Sequence, residues 1–160
     1  MQKIGMGYDV HRLGKGRDLI LGGVHIPHPK GLEGHSDADV LIHAVCDALL
    51  GALGLGDIGE HFPNTDEQYR NISSLILLAK VNDLVRQEGY RVVNVDTVIL
   101  TQKPSLASYK AQMRFNIAYR LALDESAVNI KATTQEGLGF IGQEEGIAAY
   151  AIVLLVKEVQ

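Results

Sequence analysis

The chain has 160 residues, 46% of them apolar and 21% charged, with a formal net charge of −4. That composition supports a packed core and excludes a disordered tail, a coiled coil and a general nucleic-acid coat, which needs a basic stripe. No linker-like stretch interrupts it, so one domain over residues 1–160 is expected.

Cys46 is the single cysteine, so no disulfide forms within the chain and a reducing compartment fits. The opening MQKIGMGYDVHR has no long apolar stretch and reads as mature protein. The run IAAYAIVLLV at 147–156 is too short to cross a bilayer as a helix. A soluble cytoplasmic protein is the expectation.

Residues 3–11 alternate. Ile4, Met6, Tyr8 and Val10 point one way, Gly5, Gly7, Asp9 and His11 the other, which predicts a strand whose apolar side is its core face. Asp9 and His11 then project together, with Cα atoms about 6.8 Å apart. LILGGVHI at 19–26 predicts a hairpin turning at Gly22-Gly23. Pro27 and Pro29 open a loop.

Ser36 followed by Asp39 resembles a capping box, so a helix is expected from there to about Gly54. Its apolar face would hold Leu41, Val45, Ala48, Leu49 and Ala52, with Ser36, Asp39, His43 and Asp47 opposite. Cys46 points off the His43 face and reads as core. A Gly-rich, acidic loop covers 54–68, a second helix 72–88, a strand 92–100, a third helix 106–122, a strand 128–134, a loop 135–146 and a last strand 147–157. The order β-ββ-α-α-β-α-β-β predicts an α/β sandwich: one mainly four-stranded mixed sheet with helices on one face, plus a small N-terminal hairpin.

Asp9, His11 and His43 form the sharpest set. A carboxylate and two imidazoles suit a first-row metal, and three protein ligands leave one position open for chemistry. The same residues also suit a surface ion pair with His43 on a solvated helix face, and spacing does not decide between the two. His35-Ser36, at the expected helix start, is an anion site or only a cap. In KATTQE (131–136), hydroxyls could hold phosphate oxygens and Glu136 could bind Mg²⁺; strand-end threonines and a solvated glutamate explain it as well. GLGFIG (137–142) matches G-x-G-x-x-G, but a strand follows where a dinucleotide fold needs a helix. The acidic turns DIG (57–59) and FPNTD (62–66) suit sugar hydroxyls or plain solvent. His25, His28 and His61 read as ordinary histidines.

Taken in order, GYDVHRLG, LGGVHIP, GLEGHSDADVLIHAVCDALLGALGLGDIGEHFPNTD, GYRVVNVDTVIL, VNIKATTQEGLGFIG and EGIAAYAIVLL resemble the 2-C-methyl-D-erythritol 2,4-cyclodiphosphate synthases of non-mevalonate isoprenoid biosynthesis. The resemblance runs nearly end to end. It implies a cytoplasmic homotrimer with active sites between subunits, and Zn²⁺ on Asp9, His11 and His43. It implies Mg²⁺ or Mn²⁺ reached by Glu136, and His35 and Thr134 as the catalytic pair. The substrate would be 4-diphosphocytidyl-2-C-methyl-D-erythritol 2-phosphate, cyclised with loss of CMP.

By the same resemblance, Asp9, Val10, His11, His35, Ser36 and Asp47 touch the phosphate and erythritol end. Asp57, Ile58 and Gly59, with Phe62, Pro63, Asn64, Thr65 and Asp66, form the loop beside the ribose. Thr101, Gln102, Lys103, Pro104, Ser105 and Leu106, with Ala132 and Thr133, make the cytosine pocket. Thr134, Gln135, Glu136, Phe140 and Gln143 complete the contacts. Three departures stand out. Gln143 replaces a usual arginine of the central cavity and cannot supply its cation. Asn64 replaces a usual aspartate, and Ser105 a frequent basic residue, with Lys103 close to it in the sequence. A catalytically silent metal- or nucleotide-binding regulator on the same scaffold is the rival reading. A structural zinc protein is another, but it needs a fourth ligand, and only three present themselves.

Overall fold

The computed structural model describes residues 1–159. In chain order it contains β1 (Gln2–Gly14), β2 (Leu19–Leu21), β3 (Val24–Ile26), β4 (Gly31–Leu32), α1 (Val40–Leu53), α2 (Ile58–His61) and α3 (Ser74–Gln87). There follow β5 (Tyr90–Leu100), α4 (Lys110–Leu121), β6 (Val128–Thr133), α5 (Gly139–Gly142) and β7 (Gly146–Lys157). The main sheet runs β4-β1-β7-β5-β6, and β2-β3 form a separate hairpin. Among the described residues, only β5 and β6 pair in parallel; β7 is antiparallel to both β1 and β5. The expected mixed sheet is present, with two-residue β4 added at its edge.

The β2-β3 turn falls at Gly22 and Gly23, with φ of 57° and 72°. Two successive positive φ values make the tight turn that matches strand twist, and glycine adopts them without strain.

In β1 the expected faces are reversed. Gly5 and Gly7 lie buried, whereas Ile4 is 73% exposed and Met6 66%. The cause is the approach of α1. A Cβ on Gly5 would meet the Ala48 carbonyl oxygen at 1.8 Å, so the helix backbone rests directly on the glycines. Across the sheet Gly7 pairs with Ala151 and Asp9 with Ala149, which extends the shallow floor. Small residues mark this contact, and the large apolar ones are left facing outward.

The helix α1 starts later than its pattern suggests. Asp39 is the N-cap, with its side chain accepting from the Ile42 N–H, so Ser36 precedes the helix by a bend. Most of α1 is buried on both sides: Leu41, Ile42, Leu49 and Leu50 are fully buried, as is Cys46, and Asp39 and His43 are buried with them. Each such leucine or isoleucine contributes about 1.5–3 kcal/mol of burial energy. The sheet lies on one side of α1 and α3 on another, which leaves only exposed Gly51 and half-buried Asp47 and Leu53 toward water.

Asp39 locks this layer to the hairpin. Its two carboxylate oxygens also accept from the backbone N–H groups of Gly22 (2.9 Å) and Gly23 (2.7 Å). Burial foremost, and the charge of Asp37 next, push its pKa up to about 6 against those hydrogen bonds.

The outer face of the sheet carries Ile4, Met6, Tyr8 and Val10 of β1 beside Tyr150 and Ile152 of β7, all exposed. Tyr8 and Tyr150 pack with ring centroids 4.8 Å apart. Among the described residues, no helix is long and apolar enough to cross a membrane.

Candidate metal centre and nucleotide cleft

Asp9 and His11 leave the inner face of β1 together, as the alternation predicts, and His43 reaches them from the first turn of α1. The Asp9 Oδ2 lies 2.9 Å from His11 Nε2 and 3.1 Å from His43 Nδ1, and the two nitrogens are 3.3 Å apart. All three donors fall within one potential metal-binding group.

The opposite ring nitrogens have partners of their own. His11 Nδ1 lies 2.8 Å from the Glu33 carbonyl oxygen, which only accepts, so Nδ1 carries the proton. In the neutral ring that leaves a lone pair on Nε2, turned toward Asp9. His43 Nε2 lies 2.8 Å from Ser74 Oγ and 3.1 Å from Ser36 Oγ.

This arrangement fits a cation. Three oxygen or nitrogen donors converge with spacings close to the roughly 3.3 Å between ligands of a tetrahedral zinc ion. The electrostatics of the three side chains point the same way. Burial alone would raise the Asp9 carboxyl, but the His11 and His43 rings, which when protonated turn an N–H and a positive charge toward it, outweigh burial and bring the pKa to about 2. Burial alone would lower His11, and its bond to Asp9 reverses the direction. The cluster attracts positive charge.

A cleft of about 480 Å³ opens over the donors, lined also by His35, Ser36, Ile58, Gly59, Phe62, Pro63, Asn64 and Thr65. Asp47 braces that wall: its carboxylate accepts from the Ile58 N–H at 2.8 Å and docks α2 against α1. Asp57 caps α2 through the Glu60 N–H, and Asp66 caps the following turn through the Gln68 N–H. The predicted loop 54–68 thus contains one helical turn and leads into a 3-10 turn at Glu67–Tyr69. His35 and Ser36 do not sit at a helix N-terminus; Asp39 occupies that position, and the two line the cleft from the preceding bend.

A second cleft, of about 460 Å³, is lined by Thr101, Gln102, Lys103, Pro104, Ser105 and Leu106 with Ala132, Thr133 and Thr134. Lys110 adds a second cation beside Lys103. The loop that follows is held by Gln102, whose Oε1 accepts from the Gln135 and Gly137 N–H groups, and Glu136 adopts a positive φ of 53°. Gln143 closes α5 by donating to the Gly137 carbonyl oxygen. Val10 and Phe140 border a smaller recess on the other side of His11.

Within one chain these two clefts remain apart. Two strands, β7 and β5, separate β1 from β6, which is roughly 14 Å of sheet. Thr134 and Glu136 therefore do not join Asp9, His11 and His43 in the same cavity. Sequence reasoning missed Ser74, Asp37, Tyr69, Leu77 and Lys110. Ser74 belongs to α3, and only the tertiary fold brings it to His43. His25 pairs loosely with Asp18 at 3.4 Å, and His61 donates to the Leu55 carbonyl oxygen.

A three-donor site opening on a cleft is the arrangement of a metal enzyme rather than of a closed structural zinc site. The chain belongs to the YgbB family, whose sequence model matches residues 2–156. It is 61% identical over 153 residues to the 2-C-methyl-D-erythritol 2,4-cyclodiphosphate synthase of Clostridium botulinum (strain Hall), covering 96% of this chain and 99% of the relative. The structure of the bifunctional IspDF from Campylobacter jejuni superposes with a TM-score of 0.95 at 47% identity, covering 99% of this chain; the chain spans 43% of that longer protein. The CDP complex of IspF from Plasmodium falciparum superposes with a TM-score of 0.87 at 34% identity, covering 99% of this chain and 97% of the other.

Proposed function

We propose that this chain converts 4-diphosphocytidyl-2-C-methyl-D-erythritol 2-phosphate into 2-C-methyl-D-erythritol 2,4-cyclodiphosphate and CMP. The observation that carries this reading is the convergence of Asp9, His11 and His43 on the cleft that holds His35 and Ser36. Asp9, His11 and His43 would hold Zn²⁺ and Glu136 would reach Mg²⁺ or Mn²⁺. Bound there, the ions supply Lewis-acid neutralisation of the phosphate oxygens.

The chain's own residues do the rest. The nucleophile, an oxygen of the 2-phosphate, is tethered to the electrophile, so the protein's task is to fold the substrate back and hold it. Attack on the β-phosphorus forms one P–O bond and breaks the anhydride bond to CMP. No side-chain nucleophile or base is required. His35 and Ser36 grip the phosphate end, while Asp47 and the Ile58-Gly59 wall take the erythritol. Asp57 and Gly59 meet the ribose, and the 62–66 loop encloses it. The 101–106 and 132–134 walls enclose cytosine. His35 and Thr134 stabilise charge from opposite sides.

That division implies assembly. The metal cleft and the nucleotide cleft lie at opposite flanks of one sheet, so a site closes when one chain's metal cleft meets its neighbour's nucleotide cleft. The outward apolar face of β1 and β7 supplies the seam. Both features support a homotrimer of 160-residue, single-domain chains. A bacterial cytoplasm suits the buried, unpaired Cys46.

The test is ³¹P NMR of the purified protein with the diphosphocytidyl substrate, Zn²⁺ and Mg²⁺. CMP together with a cyclic diphosphate is expected. No turnover by the metal-replete assembly would return the silent binding protein as the better reading.

A further inference from the structure

The Asp37–Ser74 pair is unassigned by the proposed reaction, and its geometry bears directly on His43. Ser74 is the first residue of α3 and is fully buried. Its hydroxyl donates to Asp37 Oδ1, and its backbone N–H donates to Asp37 Oδ2 at 3.0 Å. Asp37 is itself held by the Asp39 N–H at 3.1 Å.

A serine hydroxyl has one proton. Here that proton is committed to a carboxylate, so the Ser74 oxygen can only accept from the other side. What it faces is His43 Nε2, at 2.8 Å. Ser36 Oγ lies farther from Nε2, at 3.1 Å, and keeps a second lone pair beside the one that accepts from the Ala38 N–H, so it too can take the Nε2 proton. The proton of a neutral His43 ring therefore sits on Nε2, and its lone pair sits on Nδ1, the atom turned toward Asp9 and His11.

We infer that Asp37 and Ser74 are positioning residues that set the tautomer and ring orientation of His43, and so preset the metal site from α3. The inference rests on the metal-binding reading of Asp9, His11 and His43. Outer partners of ligating histidines are generally worth 10–100-fold in metal affinity. His11 is set differently, by the backbone carbonyl of Glu33. One ligand is therefore oriented by main chain and the other by a side-chain relay that substitution can reach.

The test is the Zn²⁺ dissociation constant of the full chain, measured by chelator competition for wild type, Ser74→Ala, Ser74→Thr and Asp37→Asn. The His43 Nε2–H resonance of each zinc-loaded protein is followed by NMR. Ser74→Ala should bind zinc about 10–100-fold more weakly and lose the slowly exchanging Nε2–H signal. Ser74→Thr, which keeps the hydroxyl, should stay within about threefold, and Asp37→Asn should weaken binding in the same direction as Ser74→Ala. Unchanged affinity in a folded Ser74→Ala, or an equal loss in Ser74→Thr, overturns the inference. Should Ser74→Ala not fold, a folded Asp37→Asn with wild-type affinity overturns it. Failure of wild type itself to bind zinc would instead sink the metal-site reading beneath it.

Discussion

A Cβ on Gly7 would stand 1.9 Å from the carbonyl oxygen of Ala44, the residue that follows His43 in α1. Helix and strand touch through backbone at the point where their metal-binding side chains meet. Gly7→Ala must therefore lift α1 or bend β1, at a cost of about 1–3 kcal/mol or more. It must also part His43 from Asp9. Urea unfolding and zinc titration should both report the loss. Gly51, on the same helix, is different: a Cβ there would meet nothing closer than the Met6 carbonyl oxygen at 3.9 Å, so Gly51→Ala should instead stabilise by about 0.5–1 kcal/mol. Equal stability of the Gly7→Ala protein and wild type would show that the close approach is not rigid.

His43→Ala removes the donor that α1 contributes. The protein should stay folded by circular dichroism, lose tight zinc binding and lose at least about 100-fold in turnover, as expected when a ligand of an essential ion is deleted. Full activity in that variant would remove zinc from the mechanism.

If each active site joins clefts from two chains, crippled chains can complement one another. His43→Ala keeps its nucleotide cleft and Thr134→Ala keeps its metal cleft. Unfolded together at equal ratio and refolded, they should recover about one quarter of wild-type activity, since about one seam in four pairs two intact halves. Each variant refolded alone should stay inactive. Absence of recovery in mixed assemblies would place the whole site within one chain.

The buried Asp39 predicts a pH signature. Its folded pKa of about 6 lies above the ordinary carboxylate value, so the native state holds the extra proton between about pH 4 and 6. Stability should therefore fall as pH rises through that window, by about 2–3 kcal/mol, and level off above it. Asp39→Asn should lack that slope. It should also lose some stability at every pH, because its amide NH₂ cannot accept from the Gly23 N–H. Urea midpoints of the metal-free proteins from about pH 4 to 6.5 provide the comparison. Parallel curves would mean that Asp39 does not titrate there.

Burial pushes the Cys46 thiol well above its ordinary pKa, with the charges of Asp47 and Asp39 adding to it. The native protein should resist a thiol-specific disulfide reagent and react fully once unfolded. Stoichiometric labelling under native conditions would contradict the packing of α1.

Much of this site is written locally. The D-x-H alternation and the first turn of α1 place Asp9, His11 and His43, and Gly22-Gly23 announces the hairpin. The reversed face of β1 is different. Alternation shows two sides of a strand but not which covering each receives, and here apolar Ile4 and Met6 belong to the side the chain leaves open. The start of α1 is hidden for a related reason. Ser36 and Asp39 are both good caps, and the choice rests on Gly22 and Gly23, which donate to Asp39 from a distant hairpin. Ser74 carries no local signal, since its meaning comes from contacts with Asp37 and His43 across the fold.

The strand β1 writes two instructions in alternating letters. Odd positions 5, 7, 9 and 11 answer to a helix and to a potential metal-binding group inside the same chain; even positions 4, 6, 8 and 10 form an open apolar face. If chains assemble through that face, an even-position change would recur in every copy, and its effect would be multiplied and concentration-dependent. An odd-position change acts within each chain and is independent of concentration. Shifting the strand by one residue would exchange the two scripts at a stroke, sending isoleucine and methionine under the helix and Asp9 and His11 out to the open face.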